Sequence, residues 1–231
     1  MTTNELLATT AFGRRQDQSA HGVTIGARTG EERAQSAKRL LDVAGSLIGL
    51  VVLLPVLVMA ALLIKMTAPG PVLYRQERVG WHGRRFRVWK FRSMSCGSDQ
   101  RVAQLMAEHG GYGPFYKIRE DPRITPVGRF LRRSSIDELP QLINVLKGEM
   151  SLIGPRPQVP AEVDQYAPEH HRRLLVRPGI TGLWQVSGRS DVPRHEAVLL
   201  DLYYVDTWSL QGDLRILLKT AKVVVTARGA Y

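Results

Sequence analysis

Hydrophobic and polar positions change regime several times along this chain. Met1 to about Ala37 is polar, with Gly, Thr, Gln and scattered charge, and no period is sustained. Residues 1–37 are therefore expected to be a mobile tail. No apolar core follows a basic start early enough for a signal peptide. Lys38-Arg39 then opens a different stretch, and after Asp42 the run Val43 to Ile64 is uncharged and almost wholly apolar, broken mainly by Gly45, Ser46, Gly49 and Pro55. A membrane span needs about 20 such residues, so the length suffices and disfavours a buried core helix. Arg33, Lys38 and Arg39 precede the run, and Lys65, Arg75 and Arg78 follow it. With basic residues on both sides, the positive-inside rule selects no orientation. Two forms stay open for residues 38–68. One is a simple span; the other is a re-entrant helix that bends near Pro55 and leaves on the side it entered. Opening backbone groups in lipid is costly unless something re-satisfies them.

Pro69-Gly70-Pro71 ends the apolar segment, and residues 69–231 read as one domain, expected in the cytoplasm. Val72–Val79 and Arg85–Phe91 have strand character and are joined by a turn at Gly80–Gly83, which predicts a hairpin. Ser98–Glu108 is expected to be a polar helix. Leu139, Leu142, Ile143 and Leu146 recur at helical spacing, with Lys147-Gly148 as a stop. Ala161–Val176 is helical in pattern but interrupted by Pro168. Arg177–Arg189, RPGITGLWQVSGR, reads by default as a plain glycine-rich loop, and it is not a dinucleotide-binding G-x-G-x-x-G. Its Trp184 suits either base stacking or a membrane interface. Pro193–Asp206 and Ser209–Thr226 read as helices, with Ser209 as N-cap. On the second, Leu210, Leu214, Leu217, Leu218, Ala221 and Val225 form one apolar face, suited to the core or to a membrane interface. The fold class is α+β: a membrane helix, a small hairpin and several amphipathic helices on the membrane surface.

Charge narrows the partners. The 231 residues carry a net charge of +11, which calls for an anion: nucleic acid, anionic lipid or a phosphorylated substrate. The long apolar run and the lack of a recognition motif argue against nucleic acid. The hairpin carries Arg75, Arg78, Arg84, Arg85, Arg87, Lys90 and, just beyond, Arg92; such a face is either merely solvated or turned to phosphate. The single Cys96 excludes an intramolecular disulfide and a multi-cysteine zinc site. No histidine spacing suggests a metal site.

The chemistry concentrates in Phe130–Pro157, FLRRSSIDELPQLINVLKGEMSLIGPRP. Asp137 and Glu138 follow Arg132 and Arg133, and Gly154-Pro155-Arg156-Pro157 reads as a stiff turn that holds an arginine. In structural terms, Asp137 can cap the helix that follows, which places Pro140 harmlessly in its first turn. In chemical terms, a carboxylate can attack phosphorus, its neighbour can hold Mg²⁺, and arginines can carry phosphate charge. Adjacent acids alone do not decide between these.

The motifs taken together resemble a known family, the bacterial polyprenyl-phosphate phosphoglycosyl transferases of the monotopic sugar-transferase type. The matching segments are KRLLD with its apolar helix, KFRSM at Lys90–Met94, DPRITPVGRFLRRSSIDELPQLINVLKGEMSLIGPRP, RPGITGLWQVSGR and YYVDTWSL. They cover nearly everything after the tail. The short form is most similar to enzymes that start exopolysaccharide repeat units with galactose- or glucose-1-phosphate.

The resemblance implies a donor, UDP-galactose or UDP-glucose, and an acceptor, membrane polyprenyl (undecaprenyl) phosphate. It makes Asp137 the nucleophile that takes the phosphosugar and expels UMP, and Glu138, with Asp137, the Mg²⁺ ligands. Lys90, Arg92, Arg132, Arg133, Arg156 and Arg177 become the substrate-binding cations. It implies a re-entrant anchor built on Lys38, Arg39 and Pro55 in the bacterial inner membrane, with the catalytic domain on the cytoplasmic face. One departure is Leu54, where many members have a small polar residue before the proline. The apolar helices leave room for a homodimer.

Overall fold

The computed structural model describes residues 24–97, 121–188 and 192–226. The chain divides into two compact units, Met1–Lys38 and Arg39–Tyr231. The first helix, α1, spans Thr24–Val52. It begins well before Lys38, so the expected tail is helical from Thr24. Glu31–Lys38 (EERAQSAK) consists mostly of good helix formers, and here propensity outweighs the missing apolar period. The tail before Thr24 and the polar helix expected at Ser98–Glu108 lie outside the described residues.

Helix α2 follows at Leu54–Thr67, with Pro55 in its first turn. Proline has no amide to return to the preceding turn. Leu53 still donates to Gly49 O at 2.9 Å and accepts from Leu57 N at 2.9 Å. The result is a bend of 61° between Glu32–Val52 and Leu54–Thr67. Among the described residues no single helix is long and apolar enough to cross a membrane, whereas this bent pair meets the length and composition together. Leu40, Ile48, Val51, Leu54, Met59 and Met66 are exposed.

The other side of α1 is pinned. Asp42 is buried, and its Oδ1 accepts from Ser151 Oγ and Leu152 N, each at 2.9 Å. A Cβ on Gly45 or Gly49 would meet Leu152 Cδ1 at 2.8 Å or Leu142 Cδ1 at 3.3 Å. A side chain at either position would push that leucine aside, so the glycines allow the close approach. Arg39 donates to Val145 O at 2.7 Å and Leu146 O at 2.9 Å. It caps a helix end. Lys38 is half-buried on α1.

Strands β1 (Leu73–Val79) and β2 (Arg85–Phe91) form the expected hairpin, in register from Leu73 opposite Phe91 to Val79 opposite Arg85. Helix α3 (Pro126–Arg133) is capped by Thr125, whose Oγ1 accepts from Gly128 N at 2.9 Å. A 3₁₀ turn, Ile136–Gln141, leads into α4, Leu142–Leu146. Then follow β3 (Ser151–Ile153), α5 (Pro160–Val163), a second 3₁₀ turn (Pro168–Leu175), β4 (Gly179–Thr181), α6 (Leu183–Val186), α7 (Arg194–Thr207) and α8 (Leu210–Thr226). The stretch expected to be a plain loop after Arg177 thus contains a strand and a short helix. β4 pairs in parallel with β3, Ser151 opposite Gly179 and Ile153 opposite Thr181. Strands of three residues are too short to show a period.

Apolar packing joins these elements in three places. Ala60 and Ile64 of α2 pack with Phe91 and Leu131, and Ile136 lies against them. Val88, Val145 and Met150 bind the hairpin to α4. Ile153, Tyr204 and Ile216 bind β3 to α7 and α8. Beside the second sits Asn144, fully buried. Its Oδ1 accepts from Trp89 N at 3.0 Å, and its Nδ2 donates to Arg87 O at 2.8 Å and Glu149 Oε2 at 2.7 Å. It supplies the hairpin edge with a surrogate strand.

Helix α8 departs from a core-packed apolar face. Leu214, Leu217 and Leu218 are exposed, while Asp213 and Ile216 are buried. Polar partners set the buried side: Asp213 accepts from Tyr204 Oη at 2.8 Å and Trp208 Nε1 at 3.1 Å, and the Thr181 and Thr220 hydroxyls meet at 2.8 Å. Ser209 caps the helix as expected, its Oγ accepting from Gly212 N at 3.1 Å.

Asn144→Ala leaves two strand groups unpaired and is expected to destabilise by about 2–6 kcal/mol, from about 1–3 kcal/mol for each buried group left unpaired. Leu214→Ser is expected to change stability by no more than about 0.5 kcal/mol. Denaturant unfolding of the detergent-solubilised protein measures both. Equal losses would overturn the assignment of inner and outer faces.

Candidate active site

The acids lie on the 3₁₀ turn, and Asp137 does not cap a helix. Ser135 occupies the preceding position with a left-handed backbone, φ 58° and ψ 16°. That conformation is uncommon outside glycine and is often found at functional sites. Pro140 sits inside the turn, and the missing amide is accommodated by ending the 3₁₀ segment and restarting as α4. The capping assignment assumed one continuous helix; the break removes its basis.

Asp137 is 8% exposed. Its carboxylate makes no hydrogen bond or ion pair with any other described residue. Burial, and then the charge of Glu138, push its carboxyl up to about 6, against the pull of Lys90, Arg132 and Arg156. Glu138 is the reverse case. Its Oε1 accepts from Lys90 Nζ at 2.7 Å and Arg156 Nη2 at 2.9 Å, and its Oε2 lies 3.5 Å from Arg156 Nη1. Burial alone would raise the Glu138 carboxyl, but the charges of Arg156 and Lys90 and their hydrogen bonds outweigh it and hold the group well below the usual range. The Glu138 charge raises Arg156 in turn, whereas burial dominates at Lys90 and lowers it. Two neighbouring carboxylates are thus driven apart, as in acid sites where adjacent groups take different tasks.

Different elements supply the parts. Lys90 comes from β2, directly opposite Tyr74 on β1. Arg156 comes from the turn after β3. Of the other expected cations, Arg132 is half-buried and its charge acts on Asp137, and Arg133 is exposed on the same helix. Arg92 and Arg177 are not part of this cluster. Arg92 is buried and donates to Pro69 O at 2.6 Å and Ala68 O at 2.8 Å, which secures the end of α2. Arg177 donates to Gly148 O at 3.0 Å and stacks 4.2 Å over the Trp81 ring. Both make structural contacts where substrate contacts were expected. Trp184 is half-buried in α6, and its Nε1 has no partner among the described residues.

Arg78 was missed. It donates to Pro157 O at 3.1 Å and Gln76 Oε1 at 2.6 Å. Burial, and then repulsion from Arg156, lower it to about 10. Strand alternation held the signal: Arg78 opposite Phe86, Gln76 opposite Val88 and Tyr74 opposite Lys90 share one face, while Arg75, Glu77, Arg85 and Arg87 share the other. The hairpin's basic residues divide between a site face and a solvated face.

Among the described residues no three His, Cys, Asp or Glu side chains cluster as a ready metal cage. Mg²⁺ does not require one, since one or two carboxylates with substrate phosphates and water suffice. Asp137, without an ion pair, and the loosely held Oε2 of Glu138 fit that donor set.

Paired acids with convergent cations are the makings of a phosphate-handling site. Comparison with known proteins shows the family. The bacterial sugar transferase family model matches residues 33–227, and the chain belongs to that family. It is 46% identical over 199 residues to an undecaprenyl-phosphate galactose phosphotransferase of Salmonella typhimurium, covering 84% of this chain and 41% of that one. It is 40% identical over 199 residues to the exopolysaccharide production protein ExoY of Sinorhizobium fredii, covering 84% and 88%. With a UDP-glucose:undecaprenyl-phosphate glucose-1-phosphate transferase of Caulobacter vibrioides it shares 43% over 203 residues, covering 84% and 72%. The chain spans about two-fifths of the length of the galactose-transferring relatives and most of the ExoY proteins.

The two acids are expected to affect stability with opposite signs. Removing the buried, unpaired charge in Asp137→Asn is expected to stabilise the metal-free protein at pH 7 by about 1–3 kcal/mol. Glu138→Gln strands two cations and is expected to destabilise it by about 3 kcal/mol. Unfolding in the presence of a chelator reads both; a stabilised Glu138→Gln would contradict the geometry.

Proposed function

We propose that this protein transfers hexose-1-phosphate from a UDP-sugar, UDP-galactose or UDP-glucose, to a membrane polyprenyl phosphate. Undecaprenyl phosphate is the acceptor named in its relatives, and the product begins an exopolysaccharide repeat unit. The observation that carries this reading is the asymmetry of the acid pair: Glu138 is held by Lys90 and Arg156, while Asp137 has no partner among the described residues.

Asp137 is the nucleophile. Its carboxylate oxygen attacks the β-phosphorus of the donor, the bond from that phosphorus to the UMP oxygen breaks, and UMP leaves with the electron pair. The sugar phosphate is then held as an acyl phosphate. An oxygen of polyprenyl phosphate attacks the same phosphorus, the bond to Asp137 breaks, and the carboxylate is restored. Two steps let a soluble donor and a greasy acceptor use one site in turn. Arg132, Arg133, Arg156 and Lys90 offset the negative charge that otherwise repels the carboxylate. Mg²⁺, held by Asp137 and Glu138, would supply further neutralisation of the diphosphate when bound.

The bent pair α1–α2 serves as a re-entrant anchor in the bacterial inner membrane. Its exposed apolar side chains favour lipid over water, and the basic domain suits the cytoplasmic face. Ile136, next to Asp137, packs against the cluster containing Ala60 and Ile64 of α2, which sets the nucleophile beside the anchor where a lipid acceptor arrives. The exposed leucines of α8, interleaved with Arg215, Lys219 and Lys222, suit the same interface.

A donor screen tests the reading: detergent-solubilised protein, polyprenyl phosphate, Mg²⁺ and a panel of UDP-hexoses and UDP-N-acetylhexosamines, with UMP release measured. Release is expected with UDP-galactose or UDP-glucose. Asp137→Asn is expected to lower it by about 10³-fold or more, and a chelator is expected to stop it. Arg156→Ala is expected to lower kcat/KM by the equivalent of about 2–5 kcal/mol. No release with any donor, or full release by Asp137→Asn, would overturn the proposal.

A further inference from the structure

Every carbonyl from Pro155 to Gln158, in the turn that presents Arg156, accepts a hydrogen bond. Pro155 O accepts from Gly179 N at 2.9 Å and Gln158 O from Val79 N at 2.9 Å. Pro157 O accepts from Arg78 Nη1 at 3.1 Å, and Arg156 O from Arg173 Nη2 at 3.3 Å. Strand amides are ordinary donors at such a place. Two guanidinium groups are not.

Arg173 is the less expected of the two. Its side chain is 4% exposed and pairs with Asp201, 1% exposed, at 2.5 Å between Nη2 and Oδ2. Its Nη1 donates to Tyr166 Oη at 2.5 Å. Arg173 lies on the 3₁₀ turn Pro168–Leu175 and Asp201 on α7, so the pair joins α7 to the Arg156 turn. Stability does not account for it. Arg173 Nε and Asp201 Oδ1 have no hydrogen-bond partner among the described residues. Burial pushes the Asp201 carboxyl up to about 7 against the pull of Arg173. An apolar pair of similar volume is often as stable as a buried ion pair, or more so. Such a pair could not donate to the Arg156 carbonyl.

We propose that Asp201 and Arg173 are positioning residues for the transfer reaction: Asp201 fixes the Arg173 guanidinium, Arg173 fixes the main chain of Arg156, and the Arg156 side chain is thereby aimed at Glu138 and the donor phosphates. The inference rests on the reading of Arg156 as a phosphate-binding cation. Displacements of about 1 Å at a reacting centre cost on the order of 100-fold in rate, so a relay outside the site has a measurable effect.

A double-mutant cycle tests it, with the full-length protein in detergent and UMP release from the active UDP-hexose as the readout. Arg173→Met with Asp201→Leu removes both charges together. This variant is expected to keep its thermal midpoint and to lose about 10–100-fold in kcat. In an Arg156→Ala background the same replacement is expected to change kcat by less than about twofold, because its effect passes through Arg156. The same loss in both backgrounds, or no loss in the wild-type background, overturns the relay. Full activity in Arg156→Ala alone, with the pair intact, overturns the reading of Arg156 and the relay with it, so the two failures are distinguishable. If the apolar pair does not fold, Asp201→Asn keeps the shape, removes the fixing charge and enters the same cycle with the same expectations.

Discussion

Glu138 accepts two cations on one carboxylate oxygen, Lys90 from the hairpin and Arg156 from the turn after β3. Most of what matters in this protein is arranged around that contact. Two positive charges brought together out of water need a negative one between them, and a partly buried carboxylate needs its charge answered. Each side of the contact therefore requires the other. With those cations engaged by Glu138, Asp137 remains a buried carboxylate without a partner among the described residues. Such a group is costly to keep ionised, which suits the proposed attack on a phosphorus centre whose charge the neighbouring cations offset.

The fold serves this arrangement by limiting movement at each contributor. The hairpin holds Lys90 in register, and Asn144 ties it to the helix that follows the acids. The turn bearing Arg156 is fastened at four successive carbonyls. Close approach of β3 and β4 is possible because a Cβ on Gly154 or Gly179 would fall well inside contact distance of backbone atoms. The apolar helix pair is bound to the same elements, through Asp42 on β3 and through Ile64 beside Phe91 and Leu131. The proposed reaction takes one substrate from water and another from lipid, and would need the apolar helix pair rigidly joined to Asp137; these contacts would supply the join.

Much of this was legible in the residues, for identifiable reasons. The hairpin and α7 have clear turn residues at their ends, and their bounds match closely; the bend falls at Pro55 as the apolar run suggests, but its first helix starts well before Lys38. Asp137, Glu138 and Arg156 stood out because charge recurred beside helix and turn signals. Other features depend on long-range partners that no local pattern reports. Arg39, Arg92 and Arg177 read as cations for lipid or substrate, yet each is occupied by carbonyls far away in sequence. Asp42 read as a mere boundary charge and is a buried anchor. The helix at Leu210–Thr226 shows a plain apolar stripe, but Asp213 and Thr220 find polar partners and turn that stripe outward. The break at Pro140 hid for a related reason: a left-handed serine is not announced by its own side chain.

The central claim is that the free carboxylate, not the paired one, takes the phosphosugar. Incubating the protein with UDP-hexose in the absence of polyprenyl phosphate, then quenching and mapping peptides by mass spectrometry, reads this directly. The account predicts a hexose-phosphate adduct on Asp137 that disappears when the lipid acceptor is added. An adduct on Glu138, or UMP release with no adduct at Asp137, would contradict it.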